Sequence, residues 1–286
     1  MKNKKHRALL AILFLIGLAI LLYPVASNKW NEYRAHRLIS DYETAVESLG
    51  EDEYDEHIEK AAKYNKSLIG SEVPDAFSIR EGIRDMEYEK LLNIAGSGII
   101  GHIDIPRMDV DIPVYHYTFD DVLEKGAGHL FGSSLPVGGE STHTVITAHR
   151  GLPSAKLFTD LDLMEVGDCF IIHVLNEELI YEVDSIETVK PTETESLVIR
   201  RGKDLATLIT CTPYSVNTHR LMVHAHRTQK DSADVSSGVR SGSAEASRFI
   251  PFLICVLIGV ALAIVAVKVG LFSRRRAGNE KREEKK

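Results

Sequence analysis

The chain has 286 residues, 44% of them hydrophobic and 26% charged, with a formal net charge of −7. That length leaves room for one good-sized domain plus extras. Charge is unevenly spread: residues 1–26 carry +4 and residues 249–286 carry +5, which leaves −16 for residues 27–248. An acidic middle argues against nucleic acid as a partner, because a phosphate backbone needs a basic footprint.

Behind the basic start, Ala8 to Val25 is an uncharged, mostly apolar run. It has the form of a secretory signal peptide or of an uncleaved anchor. No small-x-small cleavage site follows it, and Tyr23, Pro24 and Trp30 suit a membrane interface, which favours the anchor. From Asn28 to about Tyr64 the spacing predicts helix. Trp30, Tyr33, Leu38, Tyr42, Val46 and Leu49 approximate a 3.6-residue stripe with acids between them. Gly50 and the acidic run Glu51 to Glu56 are expected to break or turn it as a solvated surface, with a second short helix after them. Residues 67–80 lack periodicity and contain Gly70, Pro74 and the triplet Asp75-Ala-Phe77, so they read as a loop. A phenylalanine on such a loop either staples it to the surface or fills a groove.

From Ile99 onward the pattern becomes β. Ile99 to Ile105, Asp111 to Tyr115, His143 to His149, Phe170 to Val174, Leu179 to Val183, Ile186 to Val189, Leu205 to Thr210 and Leu221 to Ala225 read as short strands. Gly126 to Gly139 is expected to be a turn-rich connection, and Phe158 to Met164 a brief helix. Many short strands with Gly/Pro turns indicate a closed or nearly closed barrel. Ser232 to Ser247 looks like a flexible tether. Phe249 to Val267 is a second apolar run, long enough for a bilayer of about 30 Å. Lys268 can snorkel at its end, and a Lys/Arg-rich tail follows. By the positive-inside rule both basic ends belong in the cytoplasm and the acidic middle outside the membrane.

Cys255 lies in the second apolar run; Cys169 and Cys211 lie in the middle. Cys169 opens a strand and reads as a buried core thiol. A Cys169–Cys211 disulfide is a further possibility. Cys211 closes one strand while Arg220 opens the next, an arrangement that suits a thiolate nucleophile beside a fixed positive charge. The competing reading is a small buried core residue. His149, at the end of its own strand, is the best partner for Cys211, and His219 the runner-up. His143, His224 and His226 read as structural or exposed, and His116 and His129 fall in connecting segments. No Cys/His spacing resembles a zinc site, so neither metal nor cofactor is expected.

At these residues the chain resembles the sortases, most closely the pilus-assembling class C. The likeness rests on Thr207-Leu-Ile-Thr-Cys211 with Arg220 nine positions on, and on Thr147-Ala-His149-Arg-Gly-Leu-Pro-Ser-Ala-Lys-Leu-Phe158. Gly128-His-Leu, Gly132-Ser-Ser-Leu-Pro and Asn217-Thr-His-Arg220-Leu add to it. The resemblance implies a mainly β fold: an eight-stranded sortase β-barrel with short helices, an N-terminal helical extension and two flanking transmembrane helices. It implies a transpeptidase that cuts LPxTG-type sorting signals after the threonine and joins the acyl group to a pilin lysine. The family's nucleophile, histidine and arginine fall on Cys211, His149 and Arg220. Asp75 and Phe77 match the lid loop of class C, with Ala76 where proline is usual; proline would fix the backbone there.

The expected organisation is then a basic cytoplasmic end (1–7), an anchor (8–26), a helical extension (28–98) holding the lid (67–81), and a catalytic barrel (99–230). A linker (231–248), a second span (249–269) and a cytoplasmic tail (270–286) follow. Expected partners are pilin subunits with LPxTG-type signals and the membrane. The same three residues serve a hydrolase if water resolves the intermediate. Two other functions fit less of the pattern: a housekeeping sortase that attaches proteins to peptidoglycan, and a non-catalytic, membrane-tethered binding module.

Overall fold

The computed structural model describes residues 2–71, 73–75, 77, 84–233 and 235, with side chains from residue 12 onward. Ala76, most of the expected tether and the second apolar run lie outside the described residues. A single helix, α1 (Lys2–Glu47), carries the first apolar run and the stripe behind it, passing through Pro24. From Ile12 to Glu47 it is long and apolar enough to cross a membrane, with a mean hydropathy of 1.8 in its most apolar stretch. Ile12, Leu13, Leu15, Ile16 and Ile20 are all exposed. In water that is an unfavourable patch; in hydrocarbon it is not.

Farther along α1 the stripe meets protein. Ala35, Ile39, Tyr42 and Val46 are buried. The Tyr42 hydroxyl donates to the Ile100 carbonyl at 3.3 Å and accepts from the Leu175 amide at 2.9 Å. Burial pushes this phenol up to about 12. Helix α2 (Glu51–Ser67) begins on the acidic run that was expected to interrupt helix. Carboxylates in a first turn favour helix because they face its unpaired N–H groups, and Glu53 also accepts from the Gly50 amide at 3.3 Å. At the far end, buried Asn65 clamps Leu135, accepting from its amide at 2.7 Å and donating to its carbonyl at 3.0 Å. A one-turn helix, α3 (Met86–Lys90), is capped by Asp85, which accepts from Glu87 and Tyr88.

The rest is sheet. β1 (Ile99–Ile105), β2 (Val110–His116), β3 (Ala127–His129), β4 (Thr142–Thr147), β5 (Cys169–Val174), β6 (Glu177–Val189), β7 (Asp204–Thr212) and β8 (His219–Arg227) close into a barrel. Around the barrel the order is β1, β2, β3, β4, β7, β8, β6, β5. The β2–β3 and β4–β7 pairs are parallel and the others antiparallel. The expected eight-stranded, mainly β fold is therefore the one observed. A short helix, α4 (Asp120–Leu123), links β2 to β3.

Four local expectations are corrected. The Gly126 to Gly139 segment contains β3, three residues too short to show a period. Leu179 to Val183 and Ile186 to Val189 are one strand, β6, broken in pattern by a register shift between Val183 and Ser185. The helix expected over Phe158 to Met164 is one 3-10 turn, Leu161–Leu163. His116 ends β2 and His129 ends β3, so neither is in a connection. His129 is fully buried. Its Nε2 donates to the Ser134 carbonyl at 2.8 Å, so Nδ1 accepts from the Tyr88 hydroxyl at 2.7 Å. Burial pushes His129 down to about 4, which keeps the ring neutral and that pattern single.

Both faces of β4, β7 and β8 are covered. Ile146, Ala206, Leu208, Leu221 and Val223 belong to the large barrel core. Val145, Ile209 and Met222, on the opposite face, form a second cluster with Val73, Leu130 and Leu197. The two sets alternate along each strand, as a period of two requires.

Backbone crowding limits β3. A Cβ at Gly128 would run into the Tyr117 carbonyl. Gly128→Ala should therefore destabilise the barrel by about 1–3 kcal/mol, the usual cost of overpacking. Urea unfolding should show a lower midpoint with an unchanged slope. A midpoint equal to that of the unaltered chain would mean that β3 can move away from Tyr117.

Candidate active site

β7 lies between β4 and β8, and its last turn of ladder assembles the site. Cys211 stands directly opposite Arg220 in the β7–β8 pairing. On the other edge Thr147 is opposite Ile209. The pairing continues past the end of β4, where the Ala148 amide donates to the Ile209 carbonyl at 3.2 Å. Thr210 Oγ1 then donates to the Ala148 carbonyl at 2.8 Å. Carried one residue further, this register sets His149 beside Cys211. Strand β7 runs on to Thr212, one residue beyond the thiol. His219, the alternative partner, lies opposite Thr212 and bonds the Thr218 hydroxyl at 2.9 Å.

The segment between α2 and α3 covers this end of the barrel. Val73 is buried in the second apolar cluster and Phe77 packs against the same cluster. The Phe77 ring stacks on His149 with centroids 5.9 Å apart. The Arg220 guanidinium lies over the same ring, 4.7 Å from its centroid. Asp75 takes two bonds from Arg220, Nε to Oδ1 at 2.8 Å and Nη2 to Oδ2 at 3.0 Å. The third nitrogen, Nη1, donates to Cys211 Sγ at 3.5 Å. Asp75, Phe77, His149, Cys211 and Arg220 are thus one contiguous group of side chains.

The electrostatics of this covered state are those of an uncharged thiol and imidazole. Burial pushes the Cys211 thiol up; Arg220 pulls it down and Asp75 opposes Arg220. Burial pushes His149 down, against Asp120 and Glu124. Burial is the largest influence on Arg220 and works against its charge, but the hydrogen bonds to Asp75 together with the charges of Cys211 and Asp75 outweigh it and hold the guanidinium charged. Three contributors were not legible in the sequence. Asp120 and Glu124 sit on or beside a four-residue helix with no periodic signal. Arg150, next to His149, pairs with Asp162 at 2.6 Å within the β4–β5 connection and reaches Thr212 Oγ1 at the end of β7 at 3.5 Å.

Cys169 opens β5, which neighbours β1 and β6 and not β7. Both cysteines are free thiols, which overturns the possible disulfide. Cys169 Sγ accepts from Lys230 Nζ at 3.7 Å, and burial pushes its pKa up. Among the described residues, no three His, Cys, Asp or Glu side chains are grouped as metal ligands.

Known proteins share this fold. A family model of the sortase domain matches residues 103–228. Sortase C of Streptococcus pneumoniae superposes with a TM-score of 0.62 at 43% identity, over 68% of this chain and 97% of that one. Sortase C1 of Streptococcus agalactiae does so with a TM-score of 0.65 at 42% identity, over 71% of this chain and 100% of that one. Among curated relatives, Sortase D of Bacillus subtilis is 29% identical over 115 residues, 40% of this chain and 55% of that protein. Sortase A of Bacillus anthracis is 22% identical over 222 residues, 78% of this chain and 94% of that protein.

The covering segment gives a measurable consequence. Replacing Asp75 and Phe77 together by alanine should speed labelling of Cys211 by a small thiol reagent. It should also move the labelling profile to lower pH, because Asp75 raises the thiol pKa and burial raises it further. Stability should change little, since Arg220 regains water when the segment lifts instead of being stranded. Equal labelling rates in the two proteins would show that Phe77 only staples a loop to the surface.

Proposed function

The chain belongs to the sortase family of cysteine transpeptidases, in its pilus-associated class C, and on that premise we propose that it is a membrane-anchored enzyme that polymerises pilins. The observation that carries this is the group formed by Cys211, His149 and Arg220 under a loop that places Asp75 on the arginine. In the proposed reaction the Cys211 thiol passes its proton to His149, and the thiolate attacks the threonine carbonyl of an LPxTG-type signal. Arg220 stabilises the oxyanion that forms. His149 protonates the leaving glycine amine as the tetrahedral adduct collapses to a thioester. A pilin lysine amine then attacks the thioester, its proton passes to His149, and an amide forms as the thiolate leaves.

The loop over the site is, in this proposal, a lid that is also an electrostatic brake. Closed, it occupies two of the three Arg220 nitrogens that an oxyanion or substrate carbonyl would need. It covers the His149 ring and adds a negative charge near the thiol. Open, it frees the guanidinium fork and hydrates Cys211, and both changes favour the thiolate. Substrate affinity is then reduced by the fraction of enzyme that is closed. The apolar floor of Val145, Ile209 and Met222 beneath Val73 and Phe77 offers the leucine and proline of a sorting signal a matching surface. Helix α1 would anchor the barrel with its acidic surface outside the membrane and both basic ends in the cytoplasm.

Cys211→Ala should abolish the thioester seen by mass spectrometry and the polymer seen on gels, while the fold survives. Removing a small side chain at a strand end costs about 1 kcal/mol. Polymer formed by that variant would refute the assignment, and transfer to peptidoglycan instead of to pilin would shift it to the housekeeping role. Arg220→Lys should lose about 10²-fold or more in kcat, because lysine keeps the charge but not the fork. Turnover near that of the unaltered enzyme would reduce Arg220 to a source of bulk charge.

A further inference from the structure

The outer face of β4, β7 and β8 does not end at the apolar floor. Two residues along β7 from Ile209, farther from Cys211, stands Thr207, fully buried. Its hydroxyl lies between two imidazoles, 2.7 Å from Nε2 of His143 and 2.9 Å from Nδ1 of His224. Nε2 of His224 is 2.9 Å from Glu187 Oε1, and Nδ1 of His143 is 3.4 Å from the Val198 carbonyl. The Ser196 hydroxyl, with one proton to give, lies between Glu187 and Met222 Sδ, 3.7 Å from the sulfur. Ser196 and Val198 belong to the connection between β6 and β7. Leu197 between them is fully buried against the apolar floor. The polar chain therefore grips this connection on both sides of Leu197.

Counting protons along the chain gives two states. A carboxylate and a carbonyl only accept, and a threonine hydroxyl has one proton to give. Nε2 of His224 must donate to Glu187. If Nδ1 of His224 is also protonated, it donates to Thr207. Thr207 then donates to Nε2 of His143, which carries its proton on Nδ1 and donates that to Val198. If His224 loses its Nδ1 proton, the Thr207 hydroxyl turns and donates to His224 instead. His143 must then carry its proton on Nε2 to satisfy Thr207, and its Nδ1 lone pair faces the Val198 carbonyl. We propose that His143, Thr207, His224 and Glu187 form a positioning strap for the β6–β7 connection, and that one proton on His224 decides whether the strap holds Val198.

The surroundings suit this behaviour. Burial pushes His143 down to about 4, so it changes tautomer without charging. The Ser196 hydroxyl, with help from the His224 ring, holds Glu187 below the usual carboxylate range and so keeps a carboxylate facing His224. The titratable and charged groups around the strap are His143 on β4, Asp184 and Glu187 on β6, His224 and His226 on β8, and Arg200 on the connection. Asp184 is occupied by Nδ1 of His226 at 2.7 Å. A proton gained on Nδ1 of His224 therefore engages Val198, and its loss releases it. Leu197 of this connection packs in the same cluster as Val145, Ile209 and Met222, so the strap bears on the sorting-signal floor if the transpeptidase reading above holds.

The test is nitrogen-15 spectroscopy of histidine-labelled full-length chain in detergent micelles, from pH 8 to 5. His143 should change from the Nε2–H to the Nδ1–H tautomer, staying neutral, in step with protonation of His224. Thr207→Val should uncouple the two rings, so that His224 still titrates and His143 keeps one tautomer. Glu187→Gln alters a half-exposed side chain outside the core; it should move both changes to lower pH together. One unchanging tautomer of His143 in the unaltered chain, or unchanged coupling in Thr207→Val, would overturn the proposal. These readouts need no turnover. A kinetic arm joins the strap to the groove: the KM of a sorting-signal peptide should rise about threefold to tenfold from pH 5.5 to 8 relative to Thr207→Val, the scale of one lost hydrogen bond, with the kcat ratio constant. Correct tautomers with no turnover would count against the transpeptidase reading alone, and correct tautomers with a pH-independent KM ratio would overturn the link to the groove.

Discussion

β7 is hydrogen-bonded along both edges, parallel to β4 and antiparallel to β8. It cannot slide by one residue without breaking two ladders and turning every side chain to the opposite face. Cys211, Ile209 and Thr207 consequently share the outer face, while Leu208 and Ala206 stay in the barrel core. Everything argued about chemistry depends on that register. It sets Arg220 across from Cys211, carries His149 alongside, lays an apolar floor below them and puts a polar chain below that.

Charge at the site is balanced by what covers it. Arg220 is buried beside a thiol, and a buried guanidinium without a partner is costly. Asp75 supplies that partner from a loop more than a hundred residues earlier in the chain. The ion pair that makes burial of the arginine tolerable also occupies two of its three nitrogens. In the proposed reaction, stability of the covered state and readiness for chemistry are therefore opposed within one pair of side chains. Phe77 adds to the covered state by stacking on His149 and lying under the guanidinium.

The helical part is organised by a few polar contacts inside an apolar interface. Tyr42 bonds Ile100 and Leu175, and Asn65 bonds both backbone groups of Leu135. These fix α1 and α2 against the barrel in one orientation, because a buried hydroxyl or amide left unpaired is penalised more than an apolar mismatch. With α2 held, the segment that follows it starts at a defined point above β4 and β7, and Val73 drops into the second apolar cluster.

Local chemistry was enough to announce the strands β1, β4, β5, β7 and β8, the stripe of α1 and the apolar length of its first part, because each is written in periodicity or β-branched runs. Cys211 and His149 were legible as strand ends, Arg220 as a strand start and the Asp75-Ala-Phe77 triplet as a loop, and a resemblance in motif matched that loop to a lid. Other features needed the closed barrel. Strand β3 is three residues long, and its existence follows from pairing with β2 and β4 and not from its own sequence. The acidic run could be a turn or a first helical turn, and the packing of α2 against the barrel selected the helix. His143 and His224 look like ordinary strand residues; only the parallel β4–β7 and antiparallel β7–β8 registers together bring them to opposite sides of one hydroxyl. The physical reason is common to all three. A period reports which face a residue occupies, but which residues meet across strands is decided by long-range pairing, whose free energy exists only once the barrel has closed.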